Sequence, residues 1–192
     1  MKAITQSLLF SLLLIFAFSC SSDDSGNSNP QTSDDPDIAE SDFFIKAKVN
    51  GEERIFNREN FISAQMSSFS LNGFYILGIE GSAFDNSGQE INETIAIGLN
   101  SENPIAVGIY DQPELLPLGL KHALIGYSNT ELNDETAFVT DINDPVSSLE
   151  ITELTQNTIK GKFSGIVQNP IVENDIVITD GEFFLELFIG DE

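Results

Sequence analysis

One histidine, His122, one cysteine, Cys20, and 31 acidic side chains are the residues from which any chemistry of this chain would have to be built. A Ser-His-acid relay would have to run through His122, and the counts exclude metal sites made of several histidines or several cysteines. His122 follows Lys121 and a proline-rich stretch, a setting that suits a surface or strand-edge histidine better than a general base. Glycoside hydrolysis needs two carboxyl groups roughly 5 to 10 Å apart about a sugar. With 24 acidic residues after Asp42 such pairs arise by chance, so no catalytic residue is assigned.

Calcium takes six to eight oxygen ligands and is the natural ion for an acidic β domain. Asp141, Asn143 and Asp144 could supply some of them. They depart from the helix-loop-helix calcium pattern, because Val146 stands at the sixth position in place of Gly and Thr152 at the twelfth in place of Glu. The simpler reading is an Asx-rich turn before Pro145, and no resident cofactor is predicted. Sugar sites favour flat rings with a polar tip, and in a chain without Trp the candidate ligand contacts are Tyr75, Tyr110 and Tyr127. Packing in a core or at a strand edge is the alternative role for each.

The N-terminal residues say where the chain works. Lys2 precedes an apolar stretch over residues 8–18, and Ser19 and Cys20 follow it. That is the layout of a secretory signal, shorter than the roughly 20 apolar residues of a membrane span. With a single cysteine no internal disulfide can form. Cys20 after the apolar core resembles the lipobox of bacterial lipoproteins, in which the thiol is diacylated and becomes the new N-terminus, although Ala17 and Phe18 replace its usual Leu and small residue. Each buried methylene contributes about 0.8 kcal/mol, so two or three acyl chains on Cys20 would hold where one would not. Ser21, Ser22, Asp23 and Asp24 are similar to the surface-export signal of Bacteroidota lipoproteins. The resemblance implies the outer face of the outer membrane, with its inner leaflet as the alternative.

Three segments follow: a signal over residues 1–19, a lipidated cysteine and tether over 20–42, and one domain over 43–192. The tether is mostly Ser, Asp, Asn, Gly and Pro, and predicts a disordered leash with a reach of roughly 25 Å. Of eight basic residues one, Lys2, lies in the signal, which leaves seven against 31 acids. Such a surplus repels phosphate backbones and excludes nucleic-acid binding through lysine and arginine. The membrane, reached through the lipid, and a protein or glycan are the partners left to consider.

The elements of the domain read as strands. Ile45, Ala47 and Val49 alternate with Lys46 and Lys48, and Asn50-Gly51 then gives a strong hairpin signal leading to Arg54, Ile55 and Phe56. Further strands are predicted over 74–84, with Gly78 and Gly81 as bulge or crossing points, and over 94–99 and 108–110. Weaker signals cover 123–127 and 136–140. The C-terminal third alternates through 149–151, 159–167, 176–179 and 182–188, interrupted near Gln156-Asn157 and at Asp180-Gly181 by turns or a bulge. Residues 112–119, with Pro113 and Pro117, predict a loop across an open end. The class is all-β: an antiparallel sandwich of about nine or ten short strands, with a closed or partly open barrel as the alternative. If Phe183 and Phe184 point to opposite sides of one strand, something must cover the outer ring.

Ala47-Lys48-Val49-Asn50-Gly51, Gly108-Ile109-Tyr110, the run from Leu149 through Leu154, Ile159-Lys160-Gly161-Lys162-Phe163-Ser164 and Ile178-Thr179-Asp180-Gly181-Glu182-Phe183 together resemble a Bacteroidota lipoprotein family of unknown function. The resemblance implies a small all-β domain on a lipid tether. The expected role is a surface-anchored, non-enzymatic binding or structural accessory module. The alternatives are a carboxylate-based hydrolase acting on glycans and a calcium-stabilised structural domain.

Overall fold

The computed structural model describes residues 42–57, 61–67, 74–84, 90–111, 114–116, 119–121, 123–129, 136–169, 171–172 and 174–190. Cys20, the acidic stretch after it, most of the tether and His122 lie outside the described residues. Among the described residues every regular element is a strand, in keeping with the all-β class. In chain order they are β1 (Phe44–Val49), β2 (Glu52–Phe56), β3 (Ile62–Ser67), β4 (Tyr75–Phe84), β5 (Glu90–Ser101), β6 (Gly108–Tyr110) and β7 (Glu114–Leu116). Then come β8 (Gly119–Lys121), β9 (Ala123–Ser128), β10 (Phe138–Val139), β11 (Ser147–Leu154), β12 (Thr158–Asn169) and β13 (Asn174–Gly190).

Eleven of these strands form one mixed sheet, and two runs within it can be followed separately. The first is β2-β1-β13-β12-β11-β6, antiparallel throughout. The second is β3-β4-β5-β9-β10, also antiparallel within itself. They join where β3 runs parallel to the end of β13, and where β10 meets β12 at Val139 and Gln168. The hydrogen-bonded circuit β13-β3-β4-β5-β9-β10-β12 therefore returns to β13.

Three expectations need correction. The sheet is not purely antiparallel, because β13 continues beyond β12 and its last residues are free to take β3 alongside. The strands number thirteen among the described residues, since several short pairings have too few residues to show a period in the sequence. Glu114–Leu116 and Gly119–Lys121 pair antiparallel as β7 and β8, where a loop was expected over 112–119. Pro113 and Pro117 lie outside the described residues.

Local chemistry explains the best-defined turns. Asn50 and Gly51 take φ of 50° and 84°, the left-handed pair that a two-residue hairpin between right-twisted strands requires. The Asn50 N–H donates to the Val177 carbonyl at 2.8 Å, and its Oδ1 accepts the Val177 N–H at 2.9 Å, which carries the β1–β13 ladder into the turn. Near Gln156 and Asn157, Thr155 Oγ1 accepts the N–H groups of Asn157 and Thr158. Asp180-Gly181 is a bulge inside the 17-residue β13, with Asp180 at φ 51°. Both neighbouring ladders slip there, between Lys46 and Lys48 on one side and between Phe163 and Gly165 on the other.

The inner faces of the two runs share one apolar core that includes Ile45, Phe56, Leu77, Ile79, Ile95, Ile97, Ile125, Leu149, Ile159 and Leu185. Two phenylalanines in it are seated on glycines. Gly161 is paired with Phe183 and Phe163 with Gly181, and a Cβ on either glycine would overlap the opposing ring and a backbone carbonyl. The two rings lie 6.4 Å apart, side by side across β12 and β13. Gly81 is a crossing point as expected: a Cβ there would stand 3.0 Å from Ile45 Cδ1 and Phe56 Cβ, on the other run. Gly78 has no such neighbour, and the β4 irregularity falls instead between Ser82 and Phe84.

Gly161→Ala and Gly181→Ala should each cost about 3 kcal/mol, because the added methyl meets a fixed carbonyl as well as a ring. Gly78→Ala should be nearly neutral, since its Cβ meets open space. Urea midpoints of the three variants check both statements.

Candidate functional site

Glu93, on the inner face of β5, is a carboxylate only 5% exposed. It is held from two sides. Tyr127, buried on the neighbouring β9, donates its hydroxyl at 2.5 Å, and Arg54 of β2 donates Nε at 2.9 Å from the other run. Arg54 also reaches Glu52 Oε2 through Nη2 at 2.8 Å and the Glu53 carbonyl through Nη1 at 3.1 Å. The hydrogen bond donated to Glu52, with the Glu93 carboxylate behind it, holds the guanidinium above its ordinary range. Burial first, and then the bond to Glu93, pushes the Tyr127 phenol up.

The two runs meet here through the Arg54–Glu93 ion pair, where the core gives way to polar groups, and the Tyr127 hydrogen bond holds Glu93 from within its own run. Both donors land on Oε1 of Glu93, which ties the carboxylate to Arg54 and Tyr127 at once. The cluster is built as a clamp. Sequence reasoning took Arg54 as one more strand residue and missed Glu93, because alternation predicts the facing of both side chains but not which acid meets which base.

The other candidates are dispersed. Tyr127 is a core residue committed to Glu93. Tyr110, on β6, accepts the Ala106 N–H at 3.1 Å and donates to the Ala106 carbonyl at 2.8 Å, closing its own approach loop. Tyr75, at the start of β4, packs half-buried against the core. The three rings sit on three different strands. Asp141 Oδ1 accepts both the backbone N–H of Asn143, at 2.8 Å, and its side-chain amide, at 3.1 Å, which makes an Asx turn. No group of three or more His, Cys, Asp or Glu gathers among the described residues.

The outer face of the first run is the distinctive surface. It displays Lys46 and Lys48 of β1 and Lys160 and Lys162 of β12, four of the seven basic residues beyond Lys2. Lys46 pairs with Glu182 and Lys48 with Asp180, each at 2.9 Å. The bond to Asp180 and its charge raise the pKa of Lys48. Phe184 does point away from Phe183, and its ring is covered by Phe43 in an edge contact at 5.1 Å and by the Lys160 ammonium at 6.0 Å. Lys46 lies over Phe44 in the same way, at 5.5 Å. On the second run the outer face is quieter, and its half-buried Glu80 has a carboxyl pushed up by burial.

No protein-family model, curated protein or solved structure matches the chain.

Removing Arg54 leaves Glu93 buried without its counter-charge, so Arg54→Ala should cost about 3 kcal/mol. Glu93→Gln should cost less, and the double variant should fall well short of the sum of the two, as measured in a double-mutant cycle by urea unfolding. For Glu80 the folded-state pKa is raised, so its neutral form favours the fold and its charged form opposes it. Glu80→Gln should therefore raise the melting temperature at neutral pH. That gain should shrink as pH falls through the carboxylate range, in thermal melts across pH 4 to 8.

Proposed function

We propose that this protein is a lipid-anchored accessory module of the outer membrane, exposed at the cell surface and acting by binding rather than by catalysis. The observation that carries the reading is the position of the chain's one cysteine, at the junction of an apolar leader and an acidic polar segment. A thiol there has no disulfide partner within the chain. Acylated, it would moor a domain whose strongly negative charge gives it no grip on anionic headgroups.

The body supports the binding part of the reading. Its most buried acid is bonded to Arg54 and Tyr127, and its lysines and outward phenylalanines gather on one face. A rigid sheet that displays charged and aromatic side chains on one side is suited to a protein or glycan surface. The resemblance of Ser21, Ser22, Asp23 and Asp24 to the surface-export signal of Bacteroidota lipoproteins supports the outer leaflet facing the medium.

Cells making the wild-type chain should yield an acylated N-terminal Cys20 peptide by mass spectrometry, and protease added to intact cells should remove the domain. Cys20→Ala should move the protein from the detergent phase to the aqueous phase. An unmodified thiol in the membrane fraction, or a domain shielded from protease, would contradict the proposal.

A further inference from the structure

The ladder pairings of the first run place six outward side chains in one row across its strands. From edge to edge the row is Ile55 on β2, Lys46 on β1, Glu182 on β13, Lys162 on β12, Glu150 on β11 and Ile109 on β6. Its signs read apolar, plus, minus, plus, minus, apolar. Reversed, that order becomes its own complement: Ile55 meets Ile109, Lys46 meets Glu150, and Glu182 meets Lys162. A two-fold axis parallel to the strands, between β12 and β13, performs that reversal while turning the second copy face down.

The neighbouring row behaves the same way. Phe44, Phe184, Lys160 and Glu153 follow one another across β1, β13, β12 and β11, and reversal sets the Lys160 ammonium of one copy over the Phe184 ring of the other. The two isoleucines at the ends are 51% and 64% exposed, large apolar side chains on edge strands that such a pairing would cover.

Charge makes this face the place where two copies can meet. The chain carries a formal charge of −23, so most surfaces repel their own copies. On this face Lys46, Lys48, Lys160 and Lys162 stand among six acids, Glu53, Glu150, Glu153, Asp180, Glu182 and Glu186, whereas Arg54, Arg58 and Lys121 are the basic residues left for the remainder of the chain beyond Lys2. Six strands about 4.8 Å apart and three rows of outward residues span roughly 500 Å² per copy, near the lower limit of a specific but weak interface. We infer that the outer face of β2-β1-β13-β12-β11-β6 is a self-complementary surface that pairs two copies of this chain about a two-fold axis. The pairing deepens the accessory-module reading by naming a partner, and it is measured without reference to the anchor, so either can fail alone.

The test uses the full-length chain in mild detergent, with two separable tags, at up to roughly 100 µM, where a micromolar pairing is mostly formed. Wild type should form dimers by co-purification of the two tags and by cross-linking, weakening about tenfold as salt rises from low to several hundred millimolar. One variant, Lys46→Glu with Lys162→Glu, makes the row wholly acidic. The other, Glu150→Lys with Glu182→Lys, makes it wholly basic. Each alone should be monomeric with an unfolding midpoint close to wild type, and the two mixed should pair one to one. Wild type that stays monomeric, or row variants that self-associate as wild type does, would overturn the inference. So would a mixture of folded variants that fails to pair. If either double variant does not fold, Ile109→Glu takes its place, and undiminished self-association of that variant has the same meaning.

Discussion

The body of this protein depends on two phenylalanine rings packed against two glycines. Phe183 covers Gly161 and Phe163 covers Gly181, so β12 and β13 approach with no Cβ between ring and backbone. Aromatic packing over a cross-strand glycine both fills the space and fixes the register, because a slip of one residue would turn each ring to the wrong face. That locked pair supports the rest: β1 and β3 attach to β13, and β11 and β10 attach to β12. The bulge at Asp180 lies beside Gly181 and shifts the register of both β1 and β12 against the long strand.

A second constraint works across the core. The apolar interior ends at Glu93, and the charge left there is balanced by Arg54 from the facing run and by the Tyr127 hydroxyl. A pair of this kind adds little net stability compared with a well-packed apolar contact. It does define which residue of β2 faces which residue of β5, a choice that the interchangeable aliphatic contacts around it leave open. Packing thus sets how closely the runs approach, and the clamp sets their alignment.

Much of this order is legible in the sequence. Period-two alternation marked β1, β4, β11, β12 and β13, and Asn50-Gly51 marked the first hairpin, because these signals are local. Asp180-Gly181 was recognisable as an irregularity, though not as a bulge shared by two ladders. The parallel β3–β13 contact, the two-residue β10 and the β7-β8 hairpin were not legible. Each depends on partners distant in sequence or on segments too short to carry a period. The same limit applies to Glu93 and Arg54, which are 39 residues apart and whose meeting is a property of the topology.

The central place of β13 in the ladder network, although it follows every other described strand in sequence, has a consequence for synthesis. Its residues between Asn174 and Gly190 pair with β12, β1 and β3, so a chain emerging from its N-terminus has strands waiting for a partner that arrives last. Until then β1-β2 can form only as a separate hairpin, which is marginal in water, while β3-β4-β5-β9-β10 can already pair as a sheet. Closing contacts between residues so far apart in sequence is slow. Vectorial emergence thus delivers the second run first, and the first run closes when its central strand, β13, is added.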